Sequence, residues 1–281
     1  MDVGREYSRD ALDLTDVRRD HGRRLLRRRP DTAWLLAFDP DGHLRQAALE
    51  SLPHPPRTRL EFLAVVVRLN DWVPQVRHAA ETAARRLLPH AAPEAIAEAA
   101  AYLLPRRYAW SRWTDEAVVL DAALGRADVA AHVARDLETM TSGPGRAILQ
   151  AMQRFPAMDA HLPTLAARAR IPAIRAAALE TLLRGRARWP VGHGWLWIDK
   201  SYGVRRRIVL TEERPLTITP DAAALIRAGA ADRFALVRKV AVDALEARRA
   251  DMADAADIAR SLLGDPSGGV RARAEFLLRD A

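Results

Sequence analysis

An arginine returns along this chain at nearly constant intervals, and this period constrains the fold more than any other feature of the sequence. The eight arginines are Arg45, Arg77, Arg112, Arg146, Arg175, Arg205, Arg238 and Arg271, separated by steps of 32, 35, 34, 29, 30, 33 and 33 residues. A period of this length indicates an array of repeated units, each packed against its neighbours. We therefore expect one elongated domain over residues 1–281.

Five of these arginines follow an aspartate by six residues. The pairs are Asp39/Arg45, Asp71/Arg77, Asp199/Arg205, Asp232/Arg238 and Asp265/Arg271. An aspartate before a helix accepts hydrogen bonds from the free amides of the first turn, and a proline directly after it, as at Pro40 and Pro266, suits the helix start. The repeated aspartate is therefore predicted to be an N-cap or a turn residue.

Hydrophobic periodicity predicts an all-α fold, because alanine and leucine recur at helical spacing and sustained period-2 alternation is almost absent. In residues 71–88 one stripe carries Val76, Ala79, Ala80, Ala83 and Leu87. Residues 1–38 precede the first full motif and are expected to form a basic N-terminal helical cap. Residues 189–220 are the least helical stretch, and we expect an irregular repeat there with a longer connection.

The aspartate and arginine pattern resembles HEAT repeats, which are helix-turn-helix units that stack into an α-solenoid. The resemblance implies about eight repeats and a ladder along the stack, in which the aspartate of one repeat receives the arginine of an adjacent repeat. The ladder positions would be Asp39, Arg45, Asp71, Arg77, Arg175, Asp199, Arg205, Asp232, Arg238, Asp265 and Arg271. HEAT-like repeats also occur in bilin lyases, but nothing else in this sequence points to a bilin.

Composition excludes several classes of function. The chain has no cysteine, no apolar run near the roughly 20 residues that span a bilayer, and none of the GxGxxG, Walker, GxSxG or HExxH motifs. The eight histidines have no metal-ligand spacing. We therefore expect a cytoplasmic protein that does not act on a membrane and has no cofactor or metal site.

The net charge of +8 suggests a polyanionic partner, but the composition weakens that inference. Of the 44 basic residues only Lys200 and Lys239 are lysines. This bias indicates a bacterium with a GC-rich genome more than a surface selected for nucleic acid. Along the second helices the charges are mixed, as at Lys239, Asp243 and Glu246, which favours a protein partner over duplex DNA.

Five of the seven tryptophans lie in two basic segments, residues 106–116 and 186–207. Tryptophan beside arginine can stack nucleobases while the guanidinium groups hold phosphates. Large aromatic side chains also fill the core between irregular helices, and we expect this packing role here. If the cluster is exposed instead, its binding surface would comprise Arg107, Trp110, Trp113, Trp195, Trp197 and Arg206.

The same cluster resembles the alkylpurine DNA glycosylases built from HEAT-like repeats, which use an aspartate beside tryptophans on a basic concave face. That resemblance implies catalytic roles for Asp115, Trp110, Trp113 and Arg146. The sequence as a whole predicts a non-enzymatic protein-interaction scaffold or adaptor, with a DNA-binding or glycosylase-like protein as the alternative. The identity of the partner, the pathway and the oligomeric state stay open.

Overall fold

The structure, a computed structural model, describes residues 6–104 and 117–279, and the side chains of residues 15–104 and 118–279. Within these ranges the chain is mostly helical, with one antiparallel β-hairpin. The chain divides into two compact units, Met1–Ala99 with Ala109–Val129, and Ala100–Tyr108 with Ala130–Ala281. The all-α prediction is therefore wrong in one place, between residues 186 and 215.

Within the described residues, fifteen α-helices follow one another along the chain. They are α1 Glu6–Arg28, α2 Ala33–Leu36, α3 Gly42–Glu50, α4 Arg59–Val66, α5 Pro74–Leu87, α6 Pro93–Leu103, α7 Ala117–Leu124, α8 Ala127–Thr139, α9 Gly145–Met152, α10 Leu162–Arg168, α11 Pro172–Arg184, α12 Ala222–Ala230, α13 Ala235–Ala247, α14 Ala255–Ser261 and α15 Gly268–Leu278. Strands β1 (Arg186–Asp199) and β2 (Val204–Pro215) lie between α11 and α12.

Amphipathic helices supply the core of each unit. The predicted stripe of α5 is confirmed, because Val76, Ala80 and Leu87 are buried, and Pro74 occupies the first helical turn. In the second unit α12 packs closely on its neighbours at Gly229, where an added Cβ would lie 2.7 Å from Leu179 and 2.9 Å from Ala241. Small residues at these contacts let the helix backbones approach each other.

The repeated aspartate makes a turn just before a helix. A carboxylate oxygen of Asp71 accepts the backbone N–H of Val73 at 3.0 Å, and Val73 is the N-cap residue of α5. Asp232 and Asp265 bond the amide two residues later in the same way, at 2.8 and 2.7 Å. This is an Asx-turn, in which the side chain replaces a backbone acceptor. The turn interpretation is confirmed, and the N-cap interpretation is wrong because the cap lies two residues further on.

The repeat arginines fold back onto the same turn. Arg77 and Arg238 each donate from Nη1 to the carbonyl of the aspartate six residues earlier, at 2.9 and 2.8 Å. Arg175 makes the same contact with Ala169, which stands where the other repeats have aspartate, at 2.6 Å. The fixed spacing of six residues therefore positions a guanidinium group against the carbonyl at the turn.

The other edge of the guanidinium group binds the aspartate of a later turn. These contacts, here called rungs, are Arg45–Asp71, Arg175–Asp232 and Arg238–Asp265, each a pair of hydrogen bonds of 2.9 and 2.9 Å, 2.8 and 3.0 Å, and 2.5 and 2.8 Å respectively. Asp39, the first of the series, is bound by Arg18 of α1 instead. Each rung joins the turns before two successive helices of one unit through a bidentate arginine–carboxylate contact.

The positions Asp199 and Arg205 do not belong to this series, and their assignment to a helical repeat is wrong. Asp199 ends β1, and Arg205 lies in β2. The rung from Arg175 passes over them to Asp232, a separation of 57 residues against 26 and 27 in the other two rungs. The hairpin from Arg186 to Pro215 takes up 30 residues and accounts for the difference. It is an insertion between two helical layers that still contact each other.

Candidate nucleic-acid interface

The base of the hairpin is fixed to the second unit by a buried carboxylate. Asp159, fully buried before α10, accepts two hydrogen bonds from Arg214 of β2 at 2.7 and 2.8 Å. It also accepts the backbone N–H and the hydroxyl of Thr217, at 2.8 and 2.9 Å. Burial opposes ionisation of Asp159, but these hydrogen bonds outweigh it and hold its pKa below the usual value. The C-terminal end of β2 is therefore held in one orientation at the base of the hairpin.

Two further contacts close the base. The N–H of Leu216 donates to the carbonyl of Gly185 at 3.1 Å, so the chain leaves the hairpin where it entered. Gly185 ends α11 with φ of +69°, a left-handed conformation that glycine adopts without strain. Ala187 and Trp189 are buried against the helices, as the packing hypothesis predicts for Trp189.

Beyond the base the hairpin is exposed; residues 191–210 are here called the arm. Its strands are rich in β-branched and aromatic residues, which favour extended backbone. At the tip Asp199 makes an Asx-turn to Ser201, and Gly203 has a φ of +67°. Between residues 191 and 210 the strands hold nine residues of β1 and seven of β2, which at roughly 3.3 Å per residue gives the arm a length of about 25 Å.

The strand register sorts the arm into two faces, because residues paired across antiparallel strands lie on the same side of the sheet. The aromatic face comprises His193, Trp195, Trp197, Arg205, Arg207 and Val209. The aliphatic face comprises Gly192, Gly194, Leu196, Arg206, Ile208 and Leu210. One side of the arm therefore combines indole rings with guanidinium groups, and the other is mainly aliphatic.

Arginine and tryptophan contact each other directly on the aromatic face. The guanidinium carbon of Arg205 lies 4.3 Å from the ring centre of Trp195 and 5.8 Å from that of Trp197. Trp195 stays 56% exposed and Trp197 47%. The prediction that these two tryptophans are buried is wrong, since a two-stranded insertion has no second layer to cover them. Tyr202 at the tip is 84% exposed and adds a third accessible ring.

A cavity of about 440 Å³ lies between the base of the hairpin and helices α9 and α11. Arg146, Arg184 and Arg188 line it, with Glu180 as the acidic side chain among them. Arg146 of α9 is exposed, so this residue of the glycosylase-like set faces solvent beside the arm. The cavity therefore places basic side chains of the helices beside the base of the hairpin.

A neighbouring cavity of about 470 Å³ has mixed charge. It runs between α11 and α13 and is lined by Leu183, Leu236, Lys239 and Asp243 among others. Asp243 is paired with Arg273 of α15. Basic, acidic and apolar side chains of α11 and α13 therefore alternate around this cavity, here called the mixed groove.

The remaining sequence-predicted residues divide into two groups. Arg206 lies exposed in β2 on the aliphatic face of the arm. The others, Arg107, Trp110, Trp113 and Asp115, together with the repeat arginine Arg112, lie outside the described residues. Tyr202, Arg207 and Lys200 were not among the predicted site residues, although the basic run at 205–207 beside alternating aromatic residues is a visible signal for them.

Within the described residues, no group of His, Asp or Glu side chains could hold a metal ion. The described helices also include none with both the length and the apolar character to span a bilayer. Comparison with profiles of known protein families and with curated proteins finds no match for this chain.

Proposed function

We propose that this protein binds single-stranded nucleic acid through the aromatic face of its arm. The observation that carries the proposal is the contact of Arg205 with the exposed rings of Trp195 and Trp197. Exposed rings offer π-faces on which successive bases stack, and this interaction tolerates any base sequence. Arg207 on the same face offers a cation to the phosphate backbone.

The charge of the arm supports the same partner. Residues 191–210 contain Lys200, Arg205, Arg206 and Arg207 against a single acid, Asp199. The carboxylate of Asp199 is held by the backbone amides of Ser201 and Tyr202 at the tip. Cationic side chains interleaved with aromatic rings on an extended ribbon provide both contacts that a single strand needs, since phosphates and bases alternate along it.

The rungs support a further proposal about the fold: that the helical layers are HEAT-like repeats forming an α-solenoid. The Asx-turn, the arginine that returns to it and the contact with the next aspartate recur in both units. Recurrence along the chain is what stacked repeats require and what a single active site does not. In this proposal the repeats position the arm, and the arm makes the contact.

The proposal is tested by replacing both exposed tryptophans of the arm. Binding of a fluorescently labelled oligothymidine is measured by anisotropy at constant salt, for wild type and for the double variant Trp195→Ala/Trp197→Ala. Because stacking contributes about 1–3 kcal/mol per base, we expect an affinity at least about tenfold lower in the double variant.

Trp72 provides a matched control, because it is also a tryptophan, is 72% exposed and lies in the other unit. Trp72→Ala should bind like wild type. The proposal fails if wild type does not bind the oligonucleotide even at low salt, or if Trp72→Ala weakens binding as much as the double variant does.

The mixed groove between α11 and α13 favours a second candidate function, a protein-interaction scaffold. Protein partners match alternating charge and apolar patches, whereas a phosphate backbone favours a continuous basic track. Affinity capture from nuclease-treated lysate with wild type and with Lys239→Glu tests this candidate. A partner retained by wild type and lost from Lys239→Glu supports it; identical capture by both proteins contradicts it.

A further inference from the structure

The cavity between the base of the hairpin and helices α9 and α11 carries more positive than negative charge. Arg146 of α9, Arg184 of α11 and Arg188 of β1 line it, and Glu180 is the acidic residue of its lining. Three arginines against one glutamate give the lining a charge of +2. A cavity lined in this way attracts an anion of about the opposite charge.

Much of this charge has no acidic partner in the part of the chain that the structure describes. Among these residues, no hydrogen bond or ion pair engages the exposed guanidinium group of Arg146. Arg188 donates from Nε to the hydroxyl of Thr211 at 2.8 Å, which leaves its two Nη groups without an acceptor among the described residues. Arg184 is the exception, since it pairs with Glu180 at 2.6 Å. The guanidinium groups of Arg146 and Arg188 therefore have N–H donors available for a ligand.

The size and the walls of the cavity suit a small molecule that carries a charged group. Its volume of about 440 Å³ falls within the range of about 300–1,000 Å³ that is usual for ligand sites. Helix α9 contributes Arg146 and, one turn later, the amide of Gln150. The hairpin contributes the apolar side chains of Trp189, Pro190 and Val209. The helix wall therefore offers donors to an anionic group, and the hairpin wall offers contacts to the apolar part of the same ligand.

We infer that this cavity binds a phosphate monoester. The planar guanidinium group binds phosphate oxygens through parallel pairs of hydrogen bonds. A phosphate monoester carries about −1.5 to −2 charges at pH 7, which matches the lining, whereas a phosphate inside a strand carries only about −1. The charge therefore favours a terminal phosphate over a phosphate within a strand.

Two sources supply such a group, a free nucleotide and the end of a nucleic-acid strand, and the position of Val209 favours the second. Val209 lines the cavity and also belongs to the aromatic face of the arm. Along β2 it follows Arg207, the cross-strand partner of Trp195, by two residues, or about 7 Å. The end of a strand that stacks on Trp195 is therefore within reach of the cavity. This choice of source rests on the proposed function, whereas the assignment of the cavity does not.

The cavity is tested first with a free nucleotide. Isothermal titration calorimetry at constant salt compares thymidine monophosphate with thymidine, which lacks the phosphate. Because hydrogen bonds between charged groups are stronger than neutral ones, we expect the monophosphate to bind wild type at least about tenfold more tightly than thymidine. Arg146→Gln should reduce this preference at least about threefold, since it removes one of the guanidinium groups that have free donors.

Arg170→Gln is the matched control. Arg170 is exposed in the same unit, lies outside the lining of the cavity, and has a side chain without a partner among the described residues. The substitution therefore removes the same charge and leaves the cavity intact. It should keep the wild-type preference for the monophosphate, and circular dichroism should show both variants folded.

The source is tested with oligothymidines that carry an internal fluorophore and a phosphate at the 5′ end, at the 3′ end or at neither. Anisotropy should show that one phosphorylated end raises the affinity at least about tenfold in wild type and Arg170→Gln, and less in Arg146→Gln. If the monophosphate binds and terminal phosphates add nothing, the inference stands with a free nucleotide as the source; if no oligonucleotide binds at all, the proposed function fails separately. A wild type that binds thymidine monophosphate no better than thymidine overturns the inference, and so does an equal loss of the preference in Arg146→Gln and Arg170→Gln.

Discussion

At the scale of single residues, the arginines of the three rungs each make two contacts at once. One edge of the Arg238 guanidinium group binds the carbonyl of Asp232, and the other binds the carboxylate of Asp265. The carboxylate is almost fully buried. Hydrogen bonding from Arg238 lowers the pKa of Asp265, which agrees with a carboxylate that is ionised in the folded protein. These arginines therefore join turns of neighbouring helices within one unit.

The first prediction concerns Arg238→Ala, which leaves the carboxylate of Asp265 buried without its arginine. We expect the free energy of unfolding to fall by about 1–3 kcal/mol, because a buried acceptor loses its charged donor. Chemical denaturation followed by circular dichroism measures this. Arg260→Ala is the control, since Arg260 pairs with Asp257 on the exposed surface, where ion pairs contribute little. Equal stability of the two variants would contradict the role assigned to the rungs.

The second prediction concerns pH and Asp159. Its folded-state pKa lies below its unfolded value, so the stabilisation it provides is complete above the unfolded pKa and is lost as pH falls through the folded one. We expect the free energy of unfolding to decrease below roughly pH 4. In Asp159→Asn the decrease should be shallower, because this carboxylate no longer takes up a proton. Denaturation series at several pH values compare the two slopes, and parallel slopes would rule out this contribution.

At the scale of elements, the periodicity of the sequence predicts the helices, but it does not predict the two strands of the hairpin. The buried stripe of α5 can be recognised in the sequence because one face of the helix is buried, so apolar residues recur every three or four positions. In the hairpin, both faces of the arm are exposed, so no apolar alternation marks the strands. Arg205 also falls 33 residues before Arg238, and this spacing makes a strand residue look like part of a helical repeat. The exposure of Trp195 could not be deduced without knowing that nothing covers it.

The third prediction is that the arm contributes little to the stability of the second unit. Replacing residues 191–210 by Asn-Gly joins Pro190 to Thr211, which are paired in the hairpin, through a favourable two-residue turn. The anchor between Arg214 and Asp159 is kept. We expect the free energy of unfolding to change by less than about 1 kcal/mol, because the removed side chains are exposed. A much larger loss in thermal or chemical denaturation would mean that the arm belongs to the core of the unit.

At the scale of the whole molecule, a charge of +8 gives every anionic polymer some attraction to this chain. That background binding has to be separated from binding through the arm. Electrostatic binding weakens steeply with salt because counterions are released from the nucleic acid, whereas stacking on indole rings depends much less on salt. The two contributions can therefore be measured independently in the same titrations.

The fourth prediction uses this difference. Arg205→Gln/Arg206→Gln/Arg207→Gln should flatten the plot of log affinity against log salt by about 1.4, since Arg205 and Arg207 lie on the aromatic face and each phosphate contact on a single strand contributes about 0.7 to the slope. Trp195→Ala/Trp197→Ala should lower the affinity by a similar factor at every salt concentration and leave the slope nearly unchanged. Identical slopes for wild type and the triple variant would show that these arginines do not contact phosphates.

The fifth prediction concerns the glycosylase-like alternative. We expect the folded protein to release no 3-methyladenine or 7-methylguanine from alkylated DNA, because the exposed tryptophans of the arm suit binding and not enclosure of a base. Chromatography of the released bases measures this directly. Release by wild type that disappears in a folded Asp115→Asn variant would establish the glycosylase instead, since an acidic side chain can stabilise the charge that develops as the glycosidic bond breaks.

The closed base of the hairpin also bears on the order in which the second unit folds. For Arg175 to meet Asp232, a loop of 57 residues must close, against 27 for Arg238 and Asp265. The hairpin can form first from local contacts, and its closing bond between Gly185 and Leu216 then brings the two ends of the insertion together. With the hairpin closed, the loop that still has to close before Arg175 can bind Asp232 is about as short as the loop between Arg238 and Asp265. A slow step at the hairpin would consequently delay the docking of α11 onto α13, while the C-terminal helices assemble at their own rate.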